Sequence, residues 1–261
     1  MYFVNTVWVY SPAVRKRFKN LATLNRLFNL FLLSLVKLWS RMFYNVENHW
    51  LHPHNEDPWK DVRLVVFLNH TSLFEFLFLG AAPWRFLFRM AGKVLVPAAS
   101  TTIDRPVVGK FFKMFGPGIV PISRERDGTW DYFLQRIRED AVVFILPEGR
   151  MKRITGLDKD GKPMSVRGGV ADILKMMETG KMVIVYSGGL HHVQVPGQGF
   201  PRFFKTITMH SQKLDIADYI REMEARQTGE FKKTVVADLQ ERRDKFCPPE
   251  QPVNRKLSKV R

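Results

Sequence analysis

One cysteine, Cys247, stands in 261 residues. No intramolecular disulfide can form, and a zinc site built on cysteines is excluded. A single idle thiol fits a reducing compartment. No run of about 18 uninterrupted apolar residues occurs, so a membrane span is not expected. Internal repeats and low-complexity tracts are also missing. Acid is absent from residues 1–46, and the first is Glu47. With 45% hydrophobic and 25% charged residues, the composition is that of a globular chain, which excludes wholesale disorder. The length suits one or two domains. What is abundant is positive charge: 41 Lys and Arg against 25 Asp and Glu, a net +16. That surplus calls for phosphate-bearing partners, whether lipid, nucleotide or nucleic acid.

Much of the charge sits in the acid-free segment, at Arg15, Lys16, Arg17, Lys19, Arg26, Lys37 and Arg41. The order of signals is wrong for a secretory leader, because no small-residue cleavage site follows the apolar stretch. A transit peptide is the weaker alternative. From Leu21 to Phe43 the pattern is helical: Leu21, Leu24, Phe28, Phe31, Leu35, Leu38 and Met42 recur at spacings of three and four. Arg26, Lys37 and Arg41 fall on the other side. Two arrangements fit. One is a helix docked on the core with a solvated basic face. The other is a helix lying in the plane of an anionic membrane with its basic side toward the phosphates. Leu30, Leu32, Leu33, Val36 and Trp39 widen the apolar arc, and Trp8, Tyr10 and Trp39 favour an interface. The membrane arrangement is therefore expected. Residues 1–48 form a basic, amphipathic, membrane-associating segment, and 49–261 form the main domain.

Residues 49–61 are polar with two prolines and read as a loop. Beyond them, apolar runs alternate with helical patterns. Strands are expected at Val62–Leu68, Val94–Val96, Gly118–Ile122, Ala141–Leu146, Met182–Tyr186 and Phe203–Met209. Helices are expected at Ser72–Phe88 (broken or bent at Pro83), Pro106–Phe115, Gly128–Glu139, Arg167–Glu178 and within 215–246. The tail from Cys247 reads as loose. This alternation predicts an α/β fold, a largely parallel mixed sheet flanked by helices, with the N-terminal amphipathic helix added.

After the first of these strands comes Asn69-His70-Thr71-Ser72-Leu73-Phe74-Glu75. On one continuous helix, five positions put His70 and Glu75 about 140° apart. If His70 sits in the turn and Glu75 in the first helical turn, the carboxylate reaches back to the imidazole. It then fixes the tautomer and raises the basicity of the free nitrogen, as a general base requires. A capping box, Ser72-x-x-Glu75, explains the same residues without catalysis. Two further segments end a strand with charge: Gly118 to Arg124, and Pro147-Glu148-Gly149-Arg150. In open α/β sheets, ligands bind at the carboxyl ends of strands.

Taken in order, these residues resemble the glycerolipid acyltransferase family, which includes the lysophosphatidic acid acyltransferases. Asn69–Glu75 match its Asn-His-x-Ser-x-x-Asp/Glu motif. Gly118 to Arg124 match the Gly, apolar strand and Arg of its second. Pro147–Arg150 match the shorter form of its third. The resemblance covers about residues 62–190. The chain departs from the family at Val183–Tyr186, which lacks the proline of the fourth motif, and in having no Thr before Arg150. Both departures bear on the acceptor pocket.

The resemblance implies transfer of a fatty acyl group from acyl-CoA or acyl carrier protein, as co-substrate, to a lysophospholipid hydroxyl, foremost 1-acyl-sn-glycerol-3-phosphate. His70 would be the general base and Glu75 would orient its ring. Arg124 would bind the acceptor phosphate. Glu148 and Gly149 would shape the acceptor site, the acid bonding a glycerol hydroxyl or holding Arg124, and Arg150 would be a second phosphate ligand. Backbone N–H groups near the start of the 72–88 helix are candidates for oxyanion stabilisation. No cofactor is expected beyond the acyl donor. No metal is expected either, since His191-His192 lacks a third ligand at suitable spacing. A membrane surface is the expected partner, with monotopic attachment on the cytoplasmic face. The alternatives are a different lysolipid acceptor, or a non-catalytic basic protein that binds membrane. Nucleic acid is not expected, because the basic residues cluster beside a broad apolar helix instead of interleaving with aromatics.

Overall fold

The structure is a computed structural model, described here for residues 12–104, 108–123, 125, 127–198, 200–226 and 229–253. Helix α1 (Pro12–Phe43) runs directly into strand β1 (Tyr44–Trp50). Then come β2 (Val62–Leu68), a 3-10 helix over Glu75–Gly80, α2 (Trp84–Met90) and β3 (Val94–Ala99). The short α3 (Ser100–Ile103), α4 (Val108–Met114) and β4 (Ile119–Ile122) follow. The chain continues through α5 (Thr129–Gln135), β5 (Val142–Ile145), α6 (Gly169–Met177) and β6 (Lys181–Ser187). It closes with β7 (Lys205–Asp215), α7 (Ile216–Ala225) and α8 (Phe231–Phe246).

The seven strands form one sheet in the order β1-β7-β6-β2-β5-β3-β4. β6, β2, β5, β3 and β4 run parallel, β7 runs antiparallel to β6, and β1 lies parallel to β7. This is the largely parallel mixed sheet expected. β2, at its centre, is apolar on both faces, as a doubly covered strand must be. Leu64, Val66 and Leu68 pack toward α6, α7 and α8, while Val65 and Phe67 join the core beneath the 3-10 helix and α2.

Three elements depart from expectation. The Ser72–Phe88 helix is two pieces. Pro83, extended at φ −69° and ψ 154°, starts α2 and admits no helical hydrogen bond through its own nitrogen. β1 falls in a stretch expected to be helix end and loop, because Asn45, Glu47, Asn48 and His49 make it polar. It is an edge strand and straddles position 48. β7 starts later and runs further than expected, to Asp215.

Among the described residues, no helix is long and apolar enough to cross a membrane. α1 docks on the fold with a mixed face inward, Leu32, Leu33 and Val36 beside Asn29, Lys37 and Ser40. Asn29, Leu33, Lys37 and Ser40 are buried, whereas Phe31, Leu35, Leu38 and Met42 are about half exposed or more, Met42 at 67%. Lys37 was expected on a basic side turned to lipid phosphates or to solvent. Instead its Nζ donates to the carbonyls of Gly80 (2.9 Å) and Ala82 (2.5 Å). Ser40 Oγ donates to Leu77 O, and Arg41 Nε to Gly80 O. The reason is local: the 3-10 helix ends with unpaired carbonyls, and cations and hydroxyls from α1 satisfy them. Burial, with the neighbouring Arg41 charge second, holds Lys37 below its ordinary pKa. The part of the apolar arc at Phe28, Phe31, Leu35, Leu38 and Met42 is left facing outward, while Leu32, Leu33 and Val36 turn into the fold. The side chains of the basic cluster at 15–19 and of Leu21, together with Trp8, Tyr10 and residues 254–261, lie outside the described residues.

Candidate active site at the carboxyl edge of the sheet

Registers bring the strand ends together. Leu68 of β2 lies opposite Tyr186 of β6, and Val66 opposite Ile145 of β5. Asn69-His70, Pro147-Glu148 and Gly188–His191 therefore leave the sheet along one edge. Asn69 turns the chain there with φ +68°, a conformation Asn tolerates better than most residues, and its Nδ2 donates to Ser187 O at 2.9 Å.

His70 Nδ1 lies 3.0 Å from Glu75 Oε2. The other carboxylate oxygen, Oε1, accepts from the backbone N–H of Thr71 and of Ser72, both at 2.8 Å. Glu75 thus grips the turn and the ring together. Ser72 Oγ does not close a capping box; it donates to Gln194 Oε1 at 3.0 Å and accepts from Phe74 N. The N–H groups of Thr71 and Ser72, among those considered for an oxyanion, are spent on Glu75. Burial works to lower the His70 pKa. The charge and hydrogen bond of Glu75, with the Glu148 charge behind them, outweigh it and raise the pKa above the ordinary value. With Nδ1–H directed at the carboxylate, Nε2 carries the lone pair.

Glu148 is almost fully buried and faces the backbone beneath His70. Its Oε1 accepts from Asn69 N at 3.1 Å and its Oε2 from His70 N at 2.6 Å. Arg243 of α8 donates from NH1 to Glu148 Oε1 (3.3 Å) and to Met164 O (3.1 Å). Gly149, at φ +63°, lets the chain turn away toward Arg167, a conformation that favours glycine. Arg150 is drawn elsewhere. Its guanidinium bonds Asp158 and, at 3.1 Å, Asp160, and the Asp158 hydrogen bond raises its pKa. Arg124 lies outside the described residues.

A second arm could not be found by spacing. Lys152 N donates to His70 O at 2.7 Å, and Lys152 O lies 2.8 Å from His191 Nε2. His191 Nδ1 lies 2.9 Å from Glu250 Oε2, and Lys152 pairs with the same carboxylate. Burial opposes ionisation of Glu250, but hydrogen bonds from His191 and Lys152 prevail and hold its pKa at about 2. His192 Nε2 lies 2.8 Å from Thr206 O. The tail past Cys247, read from sequence as loose, is tied to the site edge through Glu250. Helical periodicity and charge in 231–250 gave no signal that Arg243 or Glu250 meets the motif residues.

His70, Glu75 and Gly149 line a cavity of about 290 Å³ that runs under the 3-10 helix and along the sheet. Its walls are mainly apolar, with Phe67, Phe78, Phe86 and Phe144 among them. A buried acid–imidazole pair opening onto such a cavity can take a proton from a hydroxyl presented beside an apolar chain.

No curated protein matches the chain. Among solved structures it is similar in fold to the crystal structure of the 1-acyl-sn-glycerophosphate (LPA) acyltransferase PlsC from Thermotoga maritima. The TM-score is 0.50 at 13% identity, over 80% of this chain and 77% of that one. At that identity the likeness concerns the fold. The family model named Acyltransferase matches residues 50–206, from the end of β1 to the start of β7, and so contains every strand end that builds the site edge. On a match over more than half its length, this chain belongs to the Acyltransferase family.

Proposed function

We propose that the protein transfers a fatty acyl group from an acyl-CoA or acyl carrier protein thioester to the hydroxyl of a lysophospholipid, with 1-acyl-sn-glycerol-3-phosphate as the acceptor. The observation that carries this reading is the His70–Glu75 pair, 3.0 Å apart, on the wall of an apolar cavity. His70 Nε2 takes the proton as the acceptor oxygen attacks the thioester carbonyl. Glu75 holds the tautomer and stabilises the imidazolium. The tetrahedral intermediate collapses with loss of the C–S bond, and the imidazolium returns its proton to the departing thiolate. General-base catalysis of this kind supplies about 10²–10⁴-fold. The acyl chain lies in the cavity. Arg124 binds the acceptor phosphate, as a guanidinium fork suits that group. Glu148 and Gly149 act one step back, by fixing the His70 backbone and turning the chain. PlsC, described as an LPA acyltransferase, supports this acceptor.

We place the protein at the cytoplasmic face of a membrane, held monotopically. Residues 1–48 serve as the attachment and 49–261 as the acyltransferase domain. The outward apolar arc of α1 supports that reading, since exposed Phe31, Leu35, Leu38 and Met42 suit an acyl boundary better than water. A second acceptor reading, another lysolipid, draws on Arg150, whose charge is committed to Asp158 and Asp160. The test is release of free thiol from an acyl thioester over a panel of lysolipids, with the wild type and His70→Ala side by side. Transfer to lysophosphatidate that falls at least a hundredfold in a folded His70→Ala protein is expected. Retention of more than about a hundredth of the activity would remove His70 as the base.

A further inference from the structure

The segment between β6 and β7 ends in an aromatic cluster set outward. Phe200 is 87% exposed and Phe204 is 78% exposed. Phe204 adopts φ +57°, a left-handed conformation that costs a bulky residue energy and is kept only where the surroundings enforce it. Here its N–H donates to Phe43 O at 2.7 Å. Phe203 packs on Trp39 and Phe43, with ring centroids 6.0 and 5.1 Å apart, and Phe204 meets Phe43 at 5.9 Å. Phe203 and Phe204 therefore continue the outward apolar face of α1 at Trp39 and Phe43, although they are remote from α1 in sequence, and exposed Phe200 precedes them by three residues.

Register places this cluster on the His70 side of the sheet. Met209 of β7 lies opposite Ser187, the end of β6, and Leu68 lies opposite Tyr186. Lys205 is four residues before Met209, so at about 3.4 Å per residue β7 begins roughly 14 Å beyond the end of β6. The loop is also braced to the site. Gln194 accepts from Ser72 Oγ and donates to Gln198 O at 2.7 Å, and Arg153 NH1 donates to Pro196 O at 3.3 Å. Arg202 N donates to Val193 O at 2.8 Å. Exposed Lys205 follows the rings directly in the chain.

We infer that Phe200, Phe203 and Phe204, ahead of β7, form a second membrane-contact element, which seats the active-site edge on an anionic bilayer surface. The occupant follows from the chemistry. Phenyl rings without a polar tip, met by an apolar helix face and followed by Lys205 on a chain of net charge +16, fit the boundary between acyl chains and headgroups. Seated there, the loop carries the strand ends with it, so a lysolipid reaches His70 without leaving the interface. The inference rests on the lipid-substrate reading above.

The test uses the full chain and vesicles of phosphatidylcholine, alone or with phosphatidylglycerol. Both rings are exposed, so Phe200→Ser/Phe204→Ser should fold normally. Its partition onto vesicles should fall about ten- to a hundredfold, the loss expected on removing two phenyl rings each about half-buried at the interface. Activity on vesicle-borne acceptor should fall in parallel, while activity on detergent-dispersed acceptor stays level. Phe204→Trp should keep the partition. If Leu35→Ser/Met42→Ser loses binding and the double loop variant does not, α1 alone holds the membrane and the loop inference is wrong, with the lipid reading intact. A full chain that floats with neither vesicle overturns the membrane reading and the loop with it. A wild type that dimerises where the loop variant stays monomeric, with unchanged partition, assigns the rings to a second copy instead.

Discussion

Two carboxylates hold the same histidine, and they do so from different regions. Glu75 belongs to the turn that carries His70 and grips the imidazole, spending its second oxygen on the N–H groups of Thr71 and Ser72. Glu148 arrives from the end of β5, grips the backbone of Asn69 and His70, and meets Arg243 of α8. The first region lines the cavity and bears on the ring's protonation. The second is closed off beneath the turn and bears first on where the ring stands, its charge adding only the last of the pushes that raise the His70 pKa. Substitutions in the first should therefore alter how the proton is handled, and those in the second should alter geometry and stability.

The largest effect is expected at Glu75. Glu75→Gln removes the negative charge and lets an amide donate to Nδ1, which would leave the proton on Nε2, the wrong nitrogen for a base. A fall in kcat of about 10²–10⁴ is expected. The pH profile sharpens the point. Protonated His70 is inactive, so kcat/KM should rise with pH through a value above the ordinary histidine pKa, because Glu75 and Glu148 outweigh burial. With Glu75 neutral, burial gains weight and the remaining limb should move to lower pH. A limb that stays in place would deny Glu75 its part in raising His70.

Glu148→Gln comes next. The amide keeps one acceptor for two N–H donors and leaves Arg243 without its carboxylate. A tenfold to hundredfold fall in kcat is expected, with a loss of about 1–3 kcal/mol in stability for the unpaired buried groups. Donor and acceptor KM should stay within about twofold. A rise confined to the acceptor KM would return Glu148 to the acceptor pocket.

The contrast between the regions also marks what the sequence could disclose. His70 and Glu75 are five residues apart, and the apolar run of β2 ahead of them sets the turn, so the pair was legible. The strand ends that gather at the edge were legible for the same reason: each apolar run is short and closed by polar or turn residues. Arg243 and Glu250 were not. They meet residues far away in the chain, and on α8 an arginine that faces Glu148 reads like its solvated neighbours. α1 shows a related limit. Its periodicity was plain, but periodicity does not say which face turns inward. The inward face joins Leu32, Leu33 and Val36 with Lys37, whose ammonium answers the open carbonyls of Gly80 and Ala82, a match that only the packed structure reveals.

Arg243 separates a charge role from a packing role. Arg243→Met keeps much of the stem and removes the guanidinium, leaving Glu148 buried beside two N–H donors only. Uncompensated buried charges cost about 3–5 kcal/mol, and the two remaining donors should hold the loss toward the lower figure. Activity should fall about tenfold through kcat. Arg243→Lys restores a positive charge and should recover most of the rate if the charge matters. If Met and Lys behave alike, Arg243 only fills space, and the second region reduces to Glu148 by itself.

The smallest effect is expected at Glu250, the outermost member of the second region. It reaches His70 only at a remove, through His191 or the Lys152 ammonium and then the Lys152 backbone and the His70 carbonyl, so Glu250→Gln should slow catalysis no more than a few-fold. Its mark should be on stability, and the sign follows from its titration. The folded carboxyl titrates at about 2, below the ordinary 4.5, so the carboxylate stabilises the fold above pH 4.5. That contribution should fade as the pH drops from 4.5 toward 2. Allowing for solvent screening of a partly exposed pair, the difference at pH 7 should be about 1–2 kcal/mol. Urea melts of wild type and Glu250→Gln at pH 7, 4 and 3 measure it directly. The gap between the two proteins should be widest at pH 7 and narrow steadily below pH 4.5. A gap of constant size would mean that the tail is held by its packing, with Pro248 against Gly188, and that the carboxylate of Glu250 is incidental to the clamp.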